Sequence, residues 1–351
     1  MSTTNPGQEQ RAFRGAWWLP NPHLQTVWGQ VARSRTLVPF ERERLPTPDG
    51  DELILDHVAG PSDGPRLLIL HGLEGSSYSV YAQGMAQLAS AHGARVTVMN
   101  FRSCAREPDD VKRWIPNGRP RLYHSGETTD LDHVARTLAA REPETALLAV
   151  GVSLGGNVLL KWLGEHAGET IVRAAATISV PYDLDAGARH LTSRTGRIYV
   201  RNFLGTLLAK AHDLVRRFPD IADRIDLERA ARARSFHDYD DAATAPLHGF
   251  ASAVDYYARS SSIHFLPRIT VPTLCVSAAD DPFLPRAVLD LVAQRAPGNV
   301  ELRVTATGGH VGFVAGAHPR RAEYWAERTV VDWLLGRAPR ARAAVPRIRS
   351  S

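Results

Sequence analysis

Short apolar runs alternate with longer amphipathic segments along the chain from about residue 52 onward. The short runs are rich in Val, Ile and Leu and lack helical spacing, which predicts buried strands. These strands are predicted at residues 67–70, 95–99, 147–152, 175–180, 273–277 and 300–304. Amphipathic spacing predicts helices at residues 78–92, 128–141, 154–166, 286–295 and 321–335. This alternation favours an α/β fold in which helices cover both faces of a mostly parallel sheet.

The alternation is interrupted once, over residues 183–267, by a helix-like, arginine-rich segment without convincing strands. Such a segment is too long for a bare loop. We therefore expect a helical cap, inserted after the fourth predicted strand and lying above the carboxyl edge of the sheet, where α/β folds bind ligands. The predicted units are an N-terminal extension packed on the core at residues 1–50, an α/β core at 51–182 and 268–336, the cap at 183–267, and a flexible basic tail at 337–351.

The formal net charge of +5 belongs to the C-terminal end of the chain. Residues 333–351 contain no acidic residue and carry the arginines Arg337, Arg340, Arg342, Arg347 and Arg349. The remaining residues, 1–332, are formally neutral. The body of the protein therefore lacks the basic stripe that nucleic-acid binding needs, and we expect no nucleic-acid partner.

Composition and cysteine usage favour a cytoplasmic globular protein. Hydrophobic residues make up 44% and charged residues 23% of the chain, as in ordinary globular domains. Cys104 and Cys275 lie far apart and outside any C-x-x-C spacing, which fits a reducing compartment better than a disulfide scaffold or a thiolate metal site. The N-terminus lacks the apolar core of a signal peptide, and the most apolar stretch, residues 146–163, contains lysine and asparagine. No integral membrane segment is expected.

Residues 151–155 read Gly-Val-Ser-Leu-Gly at the junction of a predicted buried strand and a predicted helix. A tight turn there lifts the serine oxygen above the sheet, and flanking glycines remove the β-carbons that would collide. The start of a helix also supplies positive potential for a developing oxyanion. The motif alone is weak, because a structural turn can contain serine by chance. Its strand and helix context favours Ser153 as a catalytic nucleophile.

A serine nucleophile needs a base and an orienting acid, and in this arrangement the partners follow in the order Ser, Asp, His. Asp281 comes after the strand predicted at 273–277. His310 comes after the strand predicted at 300–304, and two glycines before it free its loop to approach the serine. All three side chains follow the carboxyl ends of strands. We therefore expect them to converge at one edge of the sheet.

Asp280 competes with Asp281 for the role of the acid. We prefer Asp281 because the hydrophobic residue two places on and the proline four places on match the usual acid loop. Asp280 would then cap or brace the turn. Asp183 and Asp185, which follow the strand predicted at 175–180, are weaker candidates.

An oxyanion hole needs backbone N–H donors aimed at the tetrahedral intermediate. One donor is expected from Leu154, the residue after the nucleophile. The other should come from the loop after the strand at 67–70, where Leu73 is the candidate. His71, at the start of that loop, is expected to hold the loop in place and not to act as a second base.

Seven motifs spread over nearly the whole chain resemble the YheT-like branch of the α/β-hydrolases, which is related to mammalian α/β-hydrolase-domain lipases and yeast medium-chain acyl-ester enzymes. They are NPHLQTVW at residues 21–28, LHGLEGSS at 70–77, YHSGETTDL at 123–131, GVSLGGNVLLKWLGE at 151–165, APLHGFASAVDYYARSSS at 245–262, DDPFLP at 280–285 and GGHVGF at 308–313. The resemblance implies an α/β-hydrolase fold and a triad of Ser153, Asp281 and His310. The chain departs from the family pattern at residues 100–108 and 111–120, which border the expected pocket.

The resemblance also implies an activity, the hydrolysis of short- to medium-chain acyl esters, with lipid-like substrates in the eukaryotic relatives. The leading hypothesis is therefore a serine carboxylic-ester hydrolase that works through an acyl-serine on a small-molecule acyl ester or a lipid-like substrate. Acyl transfer to an alcohol, thioester hydrolysis, or a non-catalytic binding scaffold are the alternatives. The sequence has no H-E-x-x-H, no P-loop and no G-x-G-x-x-G after a strand, so no metal or other cofactor is expected.

Overall fold

The fold is built on a β-sheet covered by helices, in a computed structural model that describes residues 12–33, 38–169, 171–193 and 195–338. The main sheet of the described chain has eight strands, β1 (Glu41–Pro46), β2 (Glu52–Val58), β3 (Arg66–Leu70), β4 (Arg95–Asn100), β5 (Leu147–Val152), β6 (Ala174–Ile178), β7 (Thr273–Ala278) and β8 (Val300–Thr305). Their order across the sheet is β1-β2-β4-β3-β5-β6-β7-β8. Strand β2 runs antiparallel to both of its neighbours, β1 and β4, and the remaining pairs of neighbouring strands in this sheet are parallel. The predicted α/β fold with a mostly parallel sheet is confirmed.

Both faces of the central strands are buried, which explains their continuous apolar sequences. In β3, Leu68 and Leu70 enter one core cluster, whereas Leu67 and Ile69 enter the cluster on the opposite face. Side chains alternate between the two faces of a strand, so a strand covered on both sides must be apolar throughout. The covering helices are α2 (Val80–Ala91) and α12 (Trp325–Leu335) on the second face, and α3 (Thr129–Arg141), α4 (Leu154–Glu165) and α11 (Arg286–Arg295) on the first.

The strand order places a crevice at the carboxyl ends of β3 and β5. From β3 the chain moves outward to β4, and it then returns to place β5 on the other side of β3. Neighbouring loops leave in opposite directions at such a reversal, which opens the ligand crevice typical of α/β sheets. The loop after β3 and the turn after β5 therefore face each other across this crevice.

The chain between β6 and β7 folds into helices. They are α5 (Leu184–His190), α6 (Gly196–Arg217), α7 (Leu227–Ala231), α8 (Phe236–Tyr239), α9 (Ala245–His248) and α10 (Ala253–Ser260), with short 3₁₀ turns and one π-helical turn at Asp240–Thr244. The segment has an apolar cluster of its own, which includes Val200, Leu204 and Leu214 of α6. No helix within the described residues is both long and apolar enough to cross a membrane.

Several elements differ from the sequence prediction. The helix predicted at 321–335 begins later, at Trp325, because the preceding residues form a 3₁₀ turn and a strand, β10 (Glu323–Tyr324), that pairs with β9 (Val314–Ala315). The pattern did not predict β1, β2 or the first helix, α1 (Pro22–Ala32). Strand β1 reads ERERLP and is largely exposed at the edge of the sheet, so it lacks the apolar signal. The basic tail was predicted at residues 337–351, and its part beyond residue 338 lies outside the described residues.

Two glycine substitutions test how tightly the sheet and α4 are packed. In Gly155→Ala the new β-carbon would meet the carbonyl oxygens of His71 and Leu70, the latter at 2.7 Å. Backbone atoms cannot move aside cheaply, so we expect the free energy of unfolding to fall by about 3 kcal/mol or more. The measurement is urea denaturation followed by tryptophan fluorescence.

The matched control is Gly205→Ala. Gly205 lies within α6, and a β-carbon there meets nothing within 4 Å. Alanine favours a helix over glycine, so this variant should gain about 0.5–1 kcal/mol. An alanine at position 155 that left the unfolding midpoint unchanged would contradict the packing described for this turn.

Candidate active site

Ser153 occupies a strained turn between β5 and α4. Its backbone has φ 52° and ψ −119°, a conformation that residues with a β-carbon rarely adopt. The neighbouring glycines make the turn possible: a β-carbon on Gly151 would lie 2.5 Å from the carbonyl oxygen of Gly155, and one on Gly156 would lie 2.6 Å from Val180. The serine is thereby held at the carboxyl edge of the sheet, half-buried, while the rest of the turn is buried.

The structure brings Ser153, His310 and Asp281 into one hydrogen-bonded chain. The His310 Nε2 atom lies 2.9 Å from the Ser153 Oγ atom, and His310 Nδ1 lies 2.9 Å from Asp281 Oδ2. Because an ionised carboxylate only accepts hydrogen bonds, Nδ1 carries the proton and Nε2 is the acceptor for the serine hydroxyl. Asp281 is also held by the backbone N–H of Phe283, which donates to its Oδ1 at 2.8 Å. The arrangement can deprotonate the serine.

The competing aspartates have other partners. Asp280 Oδ1 accepts a hydrogen bond from the backbone N–H of Gly309 at 3.0 Å, so it braces the loop that carries His310. Burial raises the pKa of Asp280. Asp183 caps the start of α5 by accepting from the Ala186 N–H, and Asp185 pairs with the side chains of Arg189 and His237. Of Asp183, Asp185, Asp280 and Asp281, only Asp281 contacts the imidazole of His310.

The two N–H groups expected to form the oxyanion hole are placed by different elements. In the loop after β3, the N–H groups of Gly72 and Glu74 donate to the hydroxyls of Tyr81 and Tyr123, each at 2.8 Å. Leu73 lies between them, and its N–H has no hydrogen-bond acceptor among the described residues. Leu154 begins α4, and the first N–H groups of a helix have no partner within it. Both donors are available to a ligand.

His71 fixes the loop after β3. Its Nδ1–H donates to the carbonyl of Gly72 at 2.8 Å, and its Nε2 accepts from the backbone N–H of Phe101 at 3.1 Å. The ring is fully buried, and burial lowers the pKa of His71 to about 4. The imidazole is therefore neutral at physiological pH, and neither nitrogen is free to act as a base.

Helix α1 supports the loop that carries His310, a role that the sequence did not reveal. The Thr26 hydroxyl accepts the N–H of His310 at 2.9 Å. The buried Gln25 side chain accepts the Val314 N–H at 2.7 Å and donates to the Val314 carbonyl at 3.1 Å. Both residues lie in the motif NPHLQTVW. The motif does not indicate, however, that Thr26 contacts His310, which lies 284 residues further along the chain.

An aromatic contact also positions the imidazole. The Phe283 ring stacks on the His310 ring, with centroids 4.2 Å apart and planes at 6°. Phe283 in turn contacts Tyr199 and Phe203 of α6, with centroid distances of 4.7 and 6.3 Å. Helix α6 therefore contacts the His310 imidazole indirectly, through the Phe283 ring.

A buried ion pair joins the same helix to the loop after β3. The Lys210 Nζ atom of α6 lies 2.7 Å from Glu74 Oε1, which also accepts from the Tyr123 hydroxyl at 2.7 Å. Nζ lies 3.3 Å from the Cys104 sulfur, and burial raises the pKa of this thiol to about 11. The neutral thiol is thus a packing group, and the ion pair ties α6 to the residue that follows Leu73.

A cavity of about 630 Å³ lies between the core and the cap and has Ser153 and His310 in its wall. Apolar side chains from both sides line much of it, among them Leu73, Leu184, Leu191, Phe203, Leu207, Phe236 and Phe283. Arg106, from the segment that departs from the family pattern, also lines the cavity. The space suits an apolar group of medium size.

Comparison with known proteins defines the class. A family model described as alpha/beta hydrolase fold matches residues 65–317, so the chain belongs to the α/β-hydrolase family. The chain is 37% identical over 319 residues to the Escherichia coli (strain K12) protein named "Putative esterase YheT", and the alignment covers 90% of each chain. This match confirms the resemblance to the YheT-like branch.

Two further comparisons agree with this assignment. The Bos taurus protein named "Phospholipase ABHD3" is 30% identical over 315 residues, which cover 88% of this chain and 74% of that protein. The solved structure of the Pyrococcus furiosus esterase Pf2001 superposes with a TM-score of 0.55 at 16% identity, covering 93% of this chain and 98% of that one. At this identity the structural likeness supports the fold alone.

The buried imidazole of His71 predicts acid sensitivity. The unfolded chain takes up a proton on this ring near its ordinary pKa of 6.5, whereas the folded protein does so only near pH 4. Between these values the unfolded state binds more protons, so the stability that His71 contributes is present above pH 6.5 and is lost as the pH falls to about 4. The contribution is at most about 3 kcal/mol.

The test is the free energy of unfolding in urea across this pH range for the wild type and His71→Gln. The wild type should lose stability on acidification, and the variant should lose less. Part of the pH dependence of the unfolding free energy will remain in the variant, because burial also lowers the pKa of His124, to about 3. Equal slopes for the two proteins would show that His71 does not titrate as described.

Proposed function

We propose that the protein is a serine carboxylic-ester hydrolase, with Ser153 as nucleophile, His310 as general base and acid, and Asp281 as the residue that orients His310. The observation that carries the proposal is the hydrogen-bonded chain from Asp281 through His310 to Ser153 in the wall of a cavity. Nucleophile, base and orienting group in this geometry are what acyl transfer to a serine requires.

The reaction follows from the positions of these groups. His310 Nε2 removes the hydroxyl proton as the Ser153 oxygen attacks the ester carbonyl carbon. The N–H groups of Leu73 and Leu154 stabilise the negative charge that develops on the carbonyl oxygen. The imidazolium then gives its proton to the leaving alcohol as the tetrahedral intermediate collapses to the acyl-serine. His310 next deprotonates a water molecule that attacks this ester, and the acid and free serine are released.

The cavity supports short- to medium-chain acyl esters as substrates. Its apolar lining would hold an acyl chain, and Ser153 and His310 lie in the same wall to act on the ester group. A volume of about 630 Å³ accommodates a small lipid-like ester, within the range of ordinary ligand pockets. The relatives named as an esterase and a phospholipase are consistent with such substrates.

Ser153→Ala tests the nucleophile. Hydrolysis of p-nitrophenyl esters, in a series from acetate to decanoate, should fall by at least about 10⁴-fold, because neither His310 nor the oxyanion hole can replace the attacking oxygen. The series also measures the preferred chain length. Residual activity equal to that of the wild type would assign turnover to another group, and absence of turnover in the wild type would leave a binding scaffold as the better hypothesis.

Asp281→Asn and Asp280→Asn form a matched pair. The amide at position 281 cannot accept the Nδ1 proton in the same way and favours the wrong imidazole tautomer, so kcat should fall by about 10³- to 10⁴-fold. At position 280 an amide oxygen can still accept the Gly309 N–H, and the expected loss is less than about tenfold. The reverse order of the two losses would exchange the roles assigned to these aspartates.

A further inference from the structure

The cavity opens to solvent between α1 and α6. Among the described residues that line it, the exposed ones are Val27 and Gln30 of α1 and Asn202 and Thr206 of α6. A hydrogen bond of 3.0 Å between His23 Nδ1 and the Tyr199 hydroxyl joins the two helices beside this opening. A substrate that reaches Ser153 through the opening therefore passes between these two helices.

Apolar side chains project into solvent around the opening. On α1, Leu24, Val27 and Val31 have relative exposures of 48%, 37% and 82%. Their spacing of three and four residues puts them on one face of the helix. On α6, Ile198 is 73% exposed and precedes Tyr199, which contacts α1. An apolar rim around a cavity mouth marks a surface for interaction.

The segments of α1 and α6 beside this opening carry charge of one sign. The sequence has no Asp or Glu over residues 12–33 or 186–212, whereas Arg197 and Arg201 are exposed on either side of Ile198. The carboxylates that line the cavity have buried side chains, and two of them are paired with cations, Glu74 with the buried Lys210 and Glu327 with the half-buried Arg33. The rim therefore presents apolar and cationic groups together.

We propose that this docking face, formed by Leu24, Val27, Val31, Arg197, Ile198 and Arg201, binds the surface of an anionic phospholipid layer. Apolar side chains that enter the boundary between headgroups and acyl chains, beside arginines that contact anionic headgroups, are the combination that binds proteins peripherally to lipid. Docking in this way points the cavity mouth into the layer, so that a lipid-like ester enters without crossing water. The docking itself is independent of the proposed esterase activity.

Cosedimentation with vesicles tests the proposal. The protein is mixed with vesicles of phosphatidylcholine alone or of equal parts phosphatidylcholine and phosphatidylglycerol, without any substrate. We expect binding to the anionic vesicles that weakens as salt is added, and much weaker binding to phosphatidylcholine alone. Wild-type protein that stays in the supernatant with anionic vesicles at low salt would overturn the proposal.

Three variants locate the surface. Val31→Glu and Ile198→Glu should each weaken binding to anionic vesicles by at least about tenfold, because they place a carboxylate where an apolar group meets lipid. Arg201→Gln should weaken it by about fivefold. The control is Val254→Glu on α10, which removes a valine of comparable exposure, 57%, outside the docking face and should bind like the wild type.

Thermal melting checks that each variant is folded, so a loss of binding is attributable to the surface. If the control lost as much binding to anionic vesicles as the docking-face variants, the proposal would be overturned. The binding would then depend on the net charge of the protein and not on this surface. A concentration-dependent dimer of the wild type that Val31→Glu abolishes, without vesicle binding, would assign the face to a second copy of the chain.

Discussion

The left-handed backbone at Ser153 is the constraint on which the site depends. A residue with a β-carbon in such a conformation costs on the order of 1–3 kcal/mol, and it persists only where its surroundings fix it. Here β5 and nearly all of α4 are buried, and glycines at positions 151, 155 and 156 let the strand, the helix and the loop after β3 approach one another. Burial of these elements stabilises the turn and aims the serine at the crevice.

Everything else at the site is brought to this turn by contacts between distant parts of the chain. His310 is held by Asp281, by the Thr26 hydroxyl and by stacking of Phe283, and Asp280 braces the loop before it. The cap approaches from two sides, through Phe283 to the imidazole and through the Lys210–Glu74 ion pair to the loop that carries Leu73. The buried ion pair is a strong geometric constraint, because either partner alone would be an unpaired buried charge.

From the sequence we could predict the parts of this arrangement that depend on residues close together in the chain. Strands β3 to β7 were predictable because burial on both faces requires continuous apolar runs, and Ser153 because its turn requires glycines nearby. Strand β1 escaped prediction because its exposed edge allows the charged sequence ERERLP. The support from Gln25 and Thr26 could not be predicted, since nothing in a helix sequence specifies a partner near residue 310. The stacking of Phe283 on His310 likewise depends on how the two loops meet.

The central claim is that Ser153 is an activated nucleophile in this constellation. Its most direct test is reaction with a fluorophosphonate, followed by mass spectrometry of the intact protein and of its peptides. Reaction should add one phosphonyl group per chain, located on Ser153, and Ser153→Ala should remain unmodified. A label of equal extent in Ser153→Ala, or one located on another residue of the wild type, would contradict the assignment of Ser153.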